Sequence, residues 1–144
     1  MNDIHARIYR NLIAALGQGD VPYRWPDAWK LEKEPYQTLH VDVLERTSDT
    51  VTIALAHYYE QNGDLVPDPD MQVRLYPKHQ MAEALTFQNS LVYTEVYAVV
   101  DCKRMVYPRA KASLNQFLEE WAKNLQQCRY ETGRKSDYPV ESES

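Results

Sequence analysis

Residues 71–88 read MQVRLYPKHQMAEALTFQ, and this stretch decides the fold. Apolar residues alternate through Met71, Val73 and Leu75 and resume at Ala82 and Ala84, with Pro77, Lys78, His79 and Gln80 between the two runs. A period of two marks a strand, and a polar break containing proline marks a turn. The segment is therefore predicted to be a β-hairpin, and its register follows from its loop. With Pro77–Gln80 as a four-residue loop, Tyr76 faces Met81, Leu75 faces Ala82 and Arg74 faces Glu83. One face then carries Met71, Val73, Leu75, Ala82 and Ala84. The other carries Gln72, Arg74, Tyr76, Met81, Glu83, Leu85 and Phe87.

A second stretch, SLNQFLEEWAKNLQQC at residues 113–128, has helical rather than strand periodicity. Leu114, Phe117, Leu118, Trp121, Leu125 and Cys128 form one apolar stripe, and Ser113 with Gln116 has the spacing of a capping box. Near the N-terminus, Ile4, Ile8, Leu12, Ile13 and Leu16 also recur at helical spacing, between Asp3 as a cap and Gly17 as a stop. Between that helix and the sheet, Asp20 to Pro35 reads as an ordered loop pinned by Trp25 and Trp29.

Strands are predicted over Leu39–Leu44 and Val51–Ala56, joined by a turn at Ser48-Asp49. Gln61–Asp70 reads as a polar loop with two prolines. A last strand over Leu91–Asp101 follows a two-residue turn at Asn89-Ser90 and places Tyr93, Tyr97 and Val99 on the face of Val73, and Val92, Val96 and Val100 on the face of Arg74. The expected fold is α+β: a curled, five-stranded antiparallel meander with an N-terminal and a C-terminal helix packed on it. Residues 1–128 are expected to form one domain, and the polar residues 129–144 a disordered tail.

Composition narrows the function. The chain has 144 residues and a net charge of −5, which argues against broad binding to nucleic acid or anionic membrane. No apolar run reaches the ~18–20 residues of a membrane span. The opening residues Asn2, Asp3, Ile4 and His5 lack the pattern of a signal peptide, so a cytoplasmic location is expected. Cys102 and Cys128 are distant in sequence and are expected to be free buried thiols. Tyrosine occurs 11 times against 2 phenylalanines, a bias that suits half-wet sheet faces and ligand cavities.

Three constellations are candidates for a site. Arg74, Tyr76 and Glu83 suit an anionic ligand, because a guanidinium fork matches carboxylate or phosphate; the same pair also serves simply as a cross-strand ion pair. His40, Asp42 and His57 share one face if His40 pairs with His57, and two imidazoles with a carboxylate can hold Zn²⁺ or Fe²⁺. Lys103, Arg104, Arg109 and Lys111, with Tyr107, form a basic cluster suited to phosphate or nucleic acid, or to a solvated loop before a helix. Asp64, Asp68 and Asp70 lack the glycine and terminal glutamate of a calcium loop. No Walker loop, dinucleotide fingerprint, G-x-S-x-G, H-E-x-x-H or C-x-x-C is present, and no nucleophile stands out. No cofactor is expected.

The run M-x-V-R-L-Y at Met71–Tyr76, A-E at Ala82-Glu83 and N-x-F-L-x-x-W at Asn115–Trp121 resembles the YqiB-like bacterial proteins, an uncharacterised domain-of-unknown-function family. The resemblance covers Leu39 to Cys128 and implies a small cytoplasmic bacterial protein without naming a reaction. Where it implies His-Asp after R-L-Y and an acidic pair before the last helix, this chain has Pro77-Lys78 and Arg109-Ala110. The functional expectation is a non-catalytic binding or regulatory module for a protein or a small anion. The alternatives are an enzyme using the His40/Asp42/His57 or Arg74/Glu83 face, and nucleic-acid binding through Lys103–Lys111.

Overall fold

The computed structural model describes residues 4–128 and the backbone of residues 131–132. Asp3 and the remainder of the tail expected over 129–144 lie outside the described residues. Helix α1, Ile4–Leu16, buries Ile8, Leu12 and Leu16 along one stripe and stops where Gly17 takes a left-handed φ of 70°. Strands β1 (Ala28–Lys33), β2 (Tyr36–Arg46), β3 (Val51–Gln61), β4 (Asp64–Tyr76), β5 (Met81–Gln88) and β6 (Tyr93–Glu95) form an antiparallel sheet in the order β6-β5-β4-β3-β2-β1. Residues Glu131–Thr132 pair with β1 as a short edge strand, β9. Strands β7 (Tyr97–Val100) and β8 (Lys103–Val106) make a separate two-stranded ribbon, and helix α2 spans Pro108–Cys128.

The core lies between the two helices and one face of the sheet. Leu39, Val41, Ile53, Leu55, Met71, Val73, Leu75, Ala82 and Ala84 supply the sheet side, and Ile8, Leu12, Leu118, Trp121 and Leu125 the helix side. The small alanines of β5 leave room for helices to approach that strand closely. An Arg7–Glu119 ion pair ties α1 to α2 at the rim.

The central hairpin has the predicted register: Arg74 pairs with Glu83, Leu75 with Ala82 and Tyr76 with Met81. The sheet is the expected antiparallel meander in chain order but differs in its strands. Apart from the short edge strand β9 it has six strands rather than five, and it is open. The Asp20–Pro35 loop contains β1, whose Trp29 donates from its indole to the Leu16 carbonyl at 3.2 Å, while Trp25 donates to that of Gly19 at 3.1 Å. Most of the expected polar loop over 61–70, from Asp64 onward, is the first half of β4. Asn62 and Gly63, with φ of 53° and 86°, turn the chain tightly into it, and Asp68 and Pro69 are accommodated at a break in pairing opposite His57.

A bulge at Leu85 moves Phe87 to the helix face, where its ring meets Phe117 at 5.3 Å. After β5 the loop has four residues, Asn89–Val92, because Gln88 pairs with Tyr93 and the Asn89 side chain accepts from the amides of Leu91 and Val92. The predicted last strand therefore divides into β6 and β7, which belong to different sheets. Helix α2 starts at Pro108, so Ser113 and Gln116 lie inside it and form no cap. Within the predicted stripe, Phe117 remains 42% exposed, whereas Asn115, outside the stripe, is buried. Both cysteines are free thiols; Cys102 is exposed, contrary to the expected burial.

Candidate functional site

Glu83 is only 8% exposed, near the edge of a sheet whose neighbouring side chains are largely apolar. A buried carboxylate costs several kcal/mol unless donors meet it. Here Tyr76 donates to Oε2, Tyr97 donates to Oε1 at 2.6 Å, and Arg74 Nη1 lies 3.9 Å from Oε2. The hydroxyls make the hydrogen bonds; Arg74, at ion-pair rather than hydrogen-bond range, supplies charge. Burial, reinforced by donation to Glu83, pushes the Tyr97 phenol up to about 12 and raises that of Tyr76. Arg104 from β8 stacks over the Tyr97 ring at 5.3 Å and steadies it.

Tyr97 reaches Glu83 because the chain leaves the sheet at Val96. That residue is fully buried, with its amide bonded to the Leu85 carbonyl and its carbonyl accepting from Tyr107. β6 covers only the C-terminal half of β5, so the segment 81–84 would be an open strand edge. Side chains cap it instead. His5 bonds through Nδ1 to the Ala82 carbonyl at 2.9 Å, and Asn115 Oδ1 accepts from the Ala84 amide at 2.9 Å. Asn115 Nδ2 donates in turn to the Lys111 carbonyl at 2.8 Å.

An open cavity of about 290 Å³ lies at this edge. Met81, Ala82 and the tyrosines 76 and 97 give it largely apolar walls, with Glu83 behind them. His5, His79 and Lys111 complete the lining, each from a different element: α1, the β4–β5 loop and α2. Among the described residues no carboxylate lies within ion-pair distance of Lys111, a half-buried residue.

Of the predicted candidates, Arg74, Tyr76 and Glu83 are brought together, but Arg74 does not line the cavity. His40, Asp42 and His57 are not brought together. The Ser48-Asp49 turn forms, yet a bulge at Leu44 shifts the register by one, so His40 pairs with Ala56 and Asp42 with Ala54. His40 then stacks edge-on against Tyr58 at 5.1 Å, whereas His57 turns to the helix face, 5.5 Å from Trp121, and bonds to the Thr38 carbonyl. Burial lowers the His57 pKa and keeps the ring neutral. No group of three or more metal-ligating side chains occurs among the described residues.

The basic cluster is divided: Lys103 and Arg104 lie on β8, and Arg109 and Lys111 on the first turn of α2. Lys103, Arg104 and Arg109 are exposed, while Lys111 faces the cavity. Sequence reasoning missed His5, His79 and Tyr97. A glutamate in an apolar hairpin needs more donors than one arginine, and the tyrosine-rich stretch after it was the available signal.

Among the described residues no helix is long and apolar enough to cross a membrane. No curated protein and no solved structure matches the chain. A family model described as a domain of unknown function, DUF6908, matches residues 7–131, and nothing links the chain to the YqiB-like proteins or to bacteria. Nearly all of the described fold falls within that match, so the chain belongs to the DUF6908 family.

Proposed function

We propose that this protein is a non-catalytic binding module that takes a small anionic ligand in the cavity beside β5. One observation carries the reading: the cavity's own acid is already satisfied, and its ammonium is not. Glu83 is occupied by two hydroxyls and a guanidinium, whereas Lys111 is half-buried with no acid in ion-pair range among the described residues. An ammonium so placed gains from an anion that displaces its water. The emphasis thereby moves from Arg74, expected to grip the ligand, to Lys111, with Arg74 holding Glu83. A cytoplasmic setting belongs to this proposal and is supported by the free thiols of Cys102 and Cys128.

The test is an amide NMR titration with acetate, benzoate and inorganic phosphate to millimolar concentration. Shifts concentrated at Ala82, Glu83 and Lys111, and absent from folded Lys111→Met, are expected. If none of the three anions moves these amides, the reading fails.

A further inference from the structure

We infer that the ligand of this cavity is a small organic monocarboxylate with a ring-sized apolar body. The inference rests on the anion-binding reading and narrows it. Charge sets the head group. The Glu83 carboxylate is balanced by Arg74, which stands outside the cavity, and among the described residues Lys111 is the one lysine or arginine in the lining. One free ammonium matches one negative charge.

A phosphate dianion would bring two negative charges close to Glu83 and would find no guanidinium in the lining. Phosphate sites on side chains characteristically use arginine forks or several cations. A carboxylate needs less: the Lys111 ammonium offers three donors, and His79 adds a ring nitrogen at the rim.

The walls set the body. Both tyrosine hydroxyls are spent on Glu83, so Tyr76 and Tyr97 offer the cavity their rings rather than their donors. Met81 adds an unbranched thioether side chain that adapts to a ring, and Ala82 leaves space for one. A volume of about 290 Å³ has room for about ten water molecules, enough for a single ring carrying a carboxylate. An apolar body is needed, because acetate would leave these walls facing water.

The experiment is calorimetric titration of the full chain with four probes: benzoate, acetate, benzamide and inorganic phosphate. Benzoate is expected to bind at least about tenfold more tightly than each of the others, a margin of about 1.4 kcal/mol. Lys111→Met should weaken benzoate by at least as much, Lys111→Arg should restore part of the loss, and Met81→Ser should weaken benzoate while leaving acetate unchanged. Circular dichroism confirms that each variant is folded.

Phosphate binding as tightly as benzoate overturns the monocarboxylate assignment and leaves the anion-binding reading standing. Benzamide binding as tightly as benzoate, with Lys111→Met indifferent, overturns both. So does the absence of binding by all four probes to folded protein.

Discussion

Asn115 is the residue whose removal should reveal how the edge of β5 is held. It is 3% exposed, and its Oδ1 is the acceptor for the Ala84 amide at 2.9 Å. Asn115→Ala leaves that amide buried without a partner, at a cost of about 1–3 kcal/mol. The lost carboxamide also leaves a small void, so the combined penalty is about 2–3 kcal/mol. The Nδ2 bond to the Lys111 carbonyl adds little, since that carbonyl keeps the regular helical hydrogen bond as an option. For a chain of this size the penalty lowers Tm by about 6–10 °C. Urea unfolding followed by tryptophan fluorescence measures the free energy, and amide hydrogen exchange reads Ala84 directly. Gln116→Ala, at the exposed neighbouring position, serves as the control and should stay within about 0.5 kcal/mol of the parent. If Asn115→Ala behaves like Gln116→Ala and the Ala84 amide stays protected, the capped-edge reasoning is refuted.

Three further predictions address other parts of the fold. Trp121 is 7% exposed against His57 and Phe117, so Trp121→Ala should cost about 3–5 kcal/mol by denaturant unfolding; a loss below about 1 kcal/mol would show that this face of α2 is not core. Burial first, and Asp42 second, raise the Asp70 pKa above 3.8. Its folded-state preference for the neutral acid is fully present below 3.8 and lost as pH rises through the raised value, so Asp70→Asn should raise Tm at pH 7 but not at pH 3. The Tyr97 phenol, raised from 10.0 to about 12, likewise favours the fold below pH 10 and ceases to do so as pH climbs toward 12. Ultraviolet titration should show one phenolate, absent in Tyr97→Phe, forming near pH 12; loss of a phenolate near pH 10 in Tyr97→Phe, with none lost near pH 12, would contradict the Glu83 contact.

The parts of this fold that were readable in sequence share a physical basis, as do the parts that were not. Arg74 opposite Glu83 was readable because a four-residue loop at Pro77–Gln80 fixes pairing from the turn outward. The same reasoning failed two strands away, where one extra residue at Leu44 reversed the partnership of His40. A bulge carries no reliable signature in a single sequence, yet it changes the face of every residue beyond it. β1 was hidden because it offers only Trp29 and Leu31 to the interior in a segment rich in proline. The β4 extension was signalled by Asn62-Gly63, a pair whose left-handed conformations suit a tight hairpin.

The cavity was the least legible feature. It joins His5, His79, Tyr97 and Lys111, which are far apart along the chain, and it depends on the exit of the backbone from the sheet at Val96. Local periodicity can assign a residue to a face of its own strand. It cannot show where a short ribbon such as β7–β8 returns against the body. Glu83 itself stood out in sequence because a charged residue interrupts an apolar alternation, and that interruption correctly marked the place.

Whether an anion sits against Lys111 is decided most directly by diffraction from crystals soaked in 4-bromobenzoate, using the anomalous signal of bromine. The predicted result is a bromine peak among Met81, Tyr76 and Tyr97, with the carboxylate within hydrogen-bond distance of Lys111 Nζ and the Glu83 contacts unchanged. An empty cavity at saturating probe, or a probe bound with its carboxylate turned away from Lys111, would contradict it.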